Sequence, residues 1–346
     1  MLAKRLATIL ALLLLAIAAR ADDTTVSLVA PAGGLVPTGS TQIQMESEDV
    51  QITPRRISIH YVFRNPGDQD ETTTIAFRFP DLDGMAVCAS SYRLPRRNEV
   101  NFMGFNLLSG GNPIPTKMDV QAFHEGQDVT ARLAGVGLAP IVLPEPLNAG
   151  LTKIAPEELQ RLEQEGLIEE HEFKTPLMAT RKRRGWCGQW LMRVQFSWTQ
   201  TIAAHQAIEL TQVYSPVAGG GSFTPTSDGS IYSGTYCAGN DAIDAIMTAR
   251  RGAAEARDKD DKDKGPPILF YEQAIEFTLT SAKDWNGPIG TFHLTVQMND
   301  PKDLLMTCTY GLQRTAPFKY EVTRENYQPS NELRLMILLR SRPLGW

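Results

Sequence analysis

The feature that most constrains this chain is the alternation between Met192 and Trp198. Met192, Val194, Phe196 and Trp198 fall on one side of a two-residue period, and Arg193, Gln195 and Ser197 on the other. Successive side chains of a β-strand point to opposite faces, so this run is a strand of a sheet with one buried side. A second run, Ile208, Leu210, Gln212 and Tyr214, follows residues 200–206, and Pro216 with Gly219, Gly220 and Gly221 stops it. The two runs are expected to pair antiparallel across a long connection.

The same alternation recurs along the chain. Ile57, Ile59, Tyr61 and Phe63 precede Asn65-Pro66-Gly67-Asp68, and Thr73, Ile75, Phe77 and Phe79 follow it, which predicts a hairpin with its turn at the Asn-Pro-Gly-Asp cluster. Ile43 with Met45, and Val50 with Ile52, read as two segments with the acidic Glu46-Ser47-Glu48-Asp49 at a turn between them. Further strands are expected at Ile275–Leu279, Phe292–Met298 and Leu333–Leu339. Between about 118 and 184, Pro140, Pro144, Pro146, Pro156 and Pro176 break any long sheet. One helix is expected there, starting at Pro156-Glu157-Glu158 and stopped by Gly166-Leu167. Residues 241–256 are helix-compatible, and the charged run 258–264 reads as a solvated loop. The fold class is therefore mainly β: one extended or two antiparallel β-sandwich lobes, over 22–117 and 186–346, with a helix-containing, proline-rich insertion at 118–185.

Lys4 and Arg5 precede an apolar run over 7–19 and an Ala19-Arg20-Ala21 site, the pattern of a signal peptide over 1–21. The run is shorter than the roughly 20 residues a bilayer span needs, so the expectation is a periplasmic or secreted protein with no membrane span after cleavage. Removal of that leader takes three of the 34 basic residues and none of the 39 acidic ones, moving the formal charge from −5 to −8. An acidic chain lacks the basic footprint of nucleic-acid binding, which is excluded as a partner class. In an oxidising compartment Cys88, Cys187, Cys237 and Cys308 are expected to form structural disulfides, with three connectivities open.

Searching for chemistry returns little. No G-x-S-x-G occurs, His124-Glu125 and His171-Glu172 lack the second histidine of a zinc protease, and Gly219–Ser222 has no lysine to make a phosphate cradle. Asp81-Leu82-Asp83-Gly84 and the aspartates of 258–263 supply only fragments of a calcium loop. No catalytic residue, metal ligand or cofactor motif is therefore assigned. Trp186 and Trp190, at the entrance of the central strand, are candidates for a platform on which sugar rings stack. Arg181, Lys182, Arg183 and Arg184 are a candidate anion patch, most simply a solvated loop.

Several short motifs carry a family likeness: GGL at 33–35, I-x-M-x-S-E-D-V-x-I at 43–52, Y-x-F-x-N at 61–65, A-F-x-F-P at 76–80, W-x-Q-T at 198–201, Y-x-P-V-x-G at 214–219 and D-W-x-G-P-I-G at 284–290. In this order they resemble an uncharacterised family of exported bacterial proteins, a domain of unknown function. The resemblance implies an envelope location and a β-rich fold, and brings no catalytic residue. It also implies that Cys237 pairs with Cys308, whereas Cys88 and Cys187 are additions in this chain. A bridge between those two would link the strand edge after Asp83 to the entrance of the central strand. The expected function is that of a non-catalytic envelope scaffold or binding module for a protein or surface-glycan partner. A secreted hydrolase of envelope polymers, acting through a carboxylate pair, is the alternative. An enzyme should show a concave pocket with converging carboxylates, and a module a broad, shallow aromatic or basic face.

Overall fold

The computed structural model describes residues 30–32, 35–39, 41–79, 81–89, 92–174, 182–219, 222–223, 231–260 and 269–340. The expected leader, Gly33-Gly34, Arg181 and most of the 258–264 charge run lie outside these. The longer strands are β1 (Gln44–Ile52), β2 (Ile57–Arg64), β3 (Glu71–Arg78), β4 (Asn106–Ser109), β5 (Lys117–His124), β6 (Ile168–Lys174), β7 (Lys182–Gly188), β8 (Leu191–Ile202), β9 (Ala207–Tyr214), β10 (Phe270–Phe277), β11 (Ile289–Gln297), β12 (Leu304–Thr307), β13 (Gln313–Ala316), β14 (Lys319–Tyr327) and β15 (Leu333–Leu339). Helices are α1 (Gly84–Cys88), α2 (Thr130–Gly135), α3 (Pro144–Leu151), α4 (Pro156–Gln164), α5 (Ile231–Tyr236) and α6 (Asn240–Asp260).

An eight-stranded sheet runs β13-β14-β11-β1-β2-β9-β4, with the short Asn112–Pro113 at its edge. A six-stranded sheet is centred on β5-β8-β3, and a seven-stranded one on β12-β15-β10. The protein is thus mainly β, built from several sheets. Most neighbours are antiparallel, but β1 and β11 run parallel, as do Ala30–Ala32 and β10. Such pairs need a long crossover, and more than 200 residues separate β1 from β11. Each large sheet takes strands from both sides of the boundaries drawn at 117 and 185, so the segments interleave.

Strand β8 is built as its sequence dictates: Met192, Val194, Phe196 and Trp198 are buried and the alternating positions are not. Two pairings differ from expectation. β8 pairs with β5 and β3, and β9 with β2 and β4, so β8 and β9 lie in different sheets. Likewise β2 and β3 are not a hairpin, because β2 belongs to the eight-stranded sheet and β3 to the six-stranded one. Both links are arches that carry the chain from one sheet to the other. A hairpin and an arch bury the same apolar face, side by side in one case and face to face in the other. The alternation is identical for both, and the links at 65–70 and 203–206 exceed the two residues of a tight hairpin.

The arches stack, since β2 pairs with β9 and β3 with β8. Asn65, 1% exposed, clamps them: its side-chain amide donates to the carbonyls of Gln69 (2.8 Å) and Ile202 (2.9 Å) and its Oδ1 accepts from Gly67 N (2.9 Å). Asn65→Ala strands buried backbone groups and should cost about 2–4 kcal/mol, read as a lower urea midpoint with unchanged slope. A loss below about 0.5 kcal/mol would show that the arches are held by packing alone.

The acidic run 46–49 is not a turn. It lies within β1, where a bulge between Met45 and Ser47 shifts the phase so that Glu48 joins Val50 and Ile52 on the inner face. The 118–185 segment holds α2 and α3 as well as the expected α4, because Pro144 sits at the first turn of α3, where its missing N–H costs nothing. Past α4, Gly166 takes a φ of +71° and Leu167 N bonds the Leu162 carbonyl (2.9 Å), the glycine stop legible in the sequence. One core cluster fills the space between the sheets, and a smaller one, with Tyr232, Tyr236 and Ile246, lies under α5 and α6 on the other face of β10 and β15.

Candidate functional site

Trp190 is 2% exposed, and its ring packs so closely on Gly188 that any Cβ there would stand 2.9 Å away. Trp186 is half-buried, and its backbone N–H and C=O are both bonded by the Asn148 side chain of α3 (2.8 and 2.9 Å). Trp186 is therefore the more exposed of the two. Lys182, Arg183 and Arg184 lie in β7, a strand rather than the expected loop; Arg184 is exposed, 3.6 Å from Glu170, and Arg181 is outside the described residues. Of the calcium-loop fragment, Asp81 grips Arg193 with both oxygens (2.9 and 2.7 Å) and Asp83 caps α1 through Ala86 N. No group of three or more His, Cys, Asp or Glu able to hold a metal occurs among the described residues.

The four cysteines form two disulfides, Cys88–Cys187 and Cys237–Cys308. Bridges of this kind mark a protein that folds outside a reducing cytoplasm. No helix among the described residues is long and apolar enough to cross a membrane.

Three places could engage another molecule. The first is a surface cleft of ≈230 Å³ at the start of β8, lined by Asp83, Met85, Phe123, His124, Glu125, Gln189, Trp190 and Leu191. It falls below the volume usual for small-molecule sites, and three of its four ionisable or amide side chains are engaged: Asp83 by α1, His124 by the Gln189 carbonyl, Gln189 by Met85 and Glu169.

The second is internal. Glu48 on β1 lies opposite Tyr61 on β2, and Gln212 and Tyr214 continue the same inner face on β9. All four are buried, and the Tyr61 and Tyr214 hydroxyls and both ends of the Gln212 amide have no hydrogen-bond partner among the described residues. Burial pushes the Glu48 carboxyl up to about 8. Burial, and then the Glu48 carboxyl, hold both phenols well above their ordinary range. Glu48 is thus a neutral acid inside the core at neutral pH.

The third is the corner where the 308–312 loop meets the β13–β14 hairpin. Tyr310 is 87% exposed, the most open of the three exposed large hydrophobic side chains among the described residues. Its loop is nevertheless fixed: Cys308 is bridged to Cys237, and the Arg324 guanidinium donates to the Tyr310 carbonyl while lying 5.0 Å over the Tyr327 ring. Leu312, Tyr320 and Val322 are half-buried against the core, and Phe318 is exposed at the hairpin turn. This is a shallow aromatic and basic surface. Sequence reasoning missed it because nothing in the run Cys308–Leu312 distinguishes an exposed tyrosine from a core one.

Among solved structures the chain is similar to one from Legionella pneumophila subsp. pneumophila strain Philadelphia 1 described as a "putative nutrient binding protein". The two are 11% identical with a TM-score of 0.43, over 89% of this chain and 70% of that one. No curated protein matches. Residues 21–336 match the family described as a domain of unknown function, DUF4424. The match takes in β1 to β14, both bridges and the first four residues of β15, and the chain belongs to that family.

Proposed function

We propose that this is a non-catalytic module of the cell envelope, periplasmic or secreted, that binds a protein or surface-glycan partner through the Tyr310 corner. The observation that carries the reading is that Tyr310 is 87% exposed on a loop immobilised by a disulfide and by Arg324. A side chain on a backbone already held still costs less further order when a partner covers it, and tyrosine and arginine are, with tryptophan, the residues enriched at binding hot spots. The leader expected over 1–21 and the two bridges support an extracytoplasmic setting.

A hydrolase would use Glu48 as its acid, since a carboxyl raised to about 8 is what such a role requires. Yet Glu48 faces the core, and the inward positions of β11, β1, β2 and β9 carry no second carboxylate. That placement favours binding over catalysis.

A photo-crosslinking residue at 310, illuminated in the native envelope, should give a discrete adduct, and one at the exposed Glu163 of α4 should not. An adduct from 163 without one from 310 would overturn the proposal. Against the captured partner, Tyr310→Ala should weaken binding by about 2 kcal/mol, a hot-spot loss, and leave stability within about 1 kcal/mol.

A further inference from the structure

The charges beside Tyr310 specify what the partner brings. In the hairpin register Arg314 stands opposite Tyr320, and Tyr320, Val322 and Arg324 share one face of β14. The two arginines therefore lie on the same side of the sheet, roughly 13 Å apart along the strand direction at 3.3 Å per residue. Neither meets a carboxylate among the described residues. Arg314 donates to the carbonyls of Ala316 and Pro317, and Arg324 to that of Tyr310. Lys319, by contrast, is neutralised by Glu321, and Arg193 by Asp81. A guanidinium on a backbone carbonyl is held in place but keeps its full charge and its remaining donors. In a chain of net charge −5, two such groups, one at Tyr310 and one farther along the hairpin, form a local basic stretch that orients an acidic partner.

The relief of the corner favours a polypeptide over a sugar chain. β13 is the terminal strand of the eight-stranded sheet, and all four of its residues are exposed. Among the described residues no strand pairs with its outer backbone edge, which can take an extended polypeptide through main-chain hydrogen bonds, whereas a sugar chain has no such backbone to pair. We infer that the partner is a protein presenting an extended acidic segment along β13, its carboxylates on Arg314 and Arg324 and its apolar side chains over Tyr310. This rests on the binding function proposed above.

The test uses the whole mature protein and three labelled probes: a glutamate-rich peptide containing leucine, alginate as an anionic glycan, and poly-lysine. Fluorescence anisotropy should show the peptide binding, more weakly as salt rises, and poly-lysine not binding. Arg314→Gln with Arg324→Gln should lower the peptide's affinity at least about tenfold, a loss of about 1.4 kcal/mol, and Tyr310→Ala should also weaken it. Because Arg324 anchors the 308–312 loop, Arg314→Gln alone serves as the variant that keeps the Arg324–Tyr310 bond and loses only the exposed bonds of Arg314 to Ala316 and Pro317; it should weaken binding with little change in melting temperature. Peptide binding indifferent to these substitutions, no peptide binding, or alginate binding more tightly with the same sensitivity would overturn the acidic-protein partner. Residue 310 crosslinked in the envelope without peptide binding removes only this inference. Failure of both experiments removes the binding corner as well.

Discussion

Glu48→Gln is expected to make the protein more stable at pH 8 than the unsubstituted chain, by several kcal/mol, and to leave it nearly unchanged at pH 4.5. The carboxyl titrates near 8 in the folded protein, because burial disfavours its charged form, and near 4.5 when the chain unfolds. Between those values the folded state holds a proton that the unfolded state releases. Stability from this group is therefore fully present below pH 4.5, declines as pH rises, and is gone above about 8. The slope is about 1.4 kcal/mol per pH unit, or roughly 5 kcal/mol across the window as an upper bound. Tyr61, Tyr214 and Tyr327 face the same carboxyl and are held above their ordinary range, chiefly by burial, so none titrates in this window. Glutamine keeps the shape and carries no charge at any pH, so the difference between the two unfolding curves isolates Glu48. Urea titrations at pH 4.5, 6, 7 and 8 measure it. Parallel stability profiles for the two proteins would mean that the carboxyl reaches solvent or a buried counter-charge.

That this group exists could not be read from the sequence without knowing the bulge. Glu46-Ser47-Glu48-Asp49 is polar enough to suggest a turn, and only the phase slip between Ile43 with Met45 and Val50 with Ile52 hints at an extra residue inside one strand. The strands themselves were legible wherever a single face is buried, as along β2 and β8. Their partners were not. Side-chain period determines which face of Phe63 or Phe77 is inward, but nothing in it separates in-sheet pairing from stacking across the core, and both arches were read as antiparallel pairs for that reason. Pro144 misled in the opposite way, because it starts α3 instead of breaking a strand.

Site residues were harder still. Trp190 was a candidate for exposure because it stands before the alternating run, yet the close approach of Gly188 draws its ring inside. Tyr310 has no period or motif around it; its exposure follows from the path of the chain between β12 and β13, two strands in different sheets. Non-local packing sets both outcomes, so a local pattern carries neither.

Removing the Cys88–Cys187 bridge should be the most damaging covalent change in the molecule. The bridge closes a loop with a sequence separation of 99, which on a chain-entropy model restricts the unfolded state by roughly 4–5 kcal/mol. It also secures α1 at a demanding contact. At the start of that helix a Cβ on Gly84 would lie 2.1 Å from the Gly188 carbonyl oxygen and 2.9 Å from the Val142 side chain, and Gly84 N bonds the Trp190 carbonyl. The bridge, joining Cys88 to the neighbour of Gly188, holds the other end of α1 against the same strand. Cys88→Ala with Cys187→Ala should therefore lower unfolding free energy by several kcal/mol, and Cys88→Ala alone should match it within about 1 kcal/mol, because the bond is lost in both. Gly84→Ala should cost about 2–4 kcal/mol by forcing backbone apart, with no flexible side chain to absorb the clash. Combined with the double cysteine variant it should cost less than the sum, since both changes release the same helix. Strict additivity would show that α1 is held at its two ends independently, and a double cysteine variant as stable as the parent would remove the bridge from any role in holding α1 to β7.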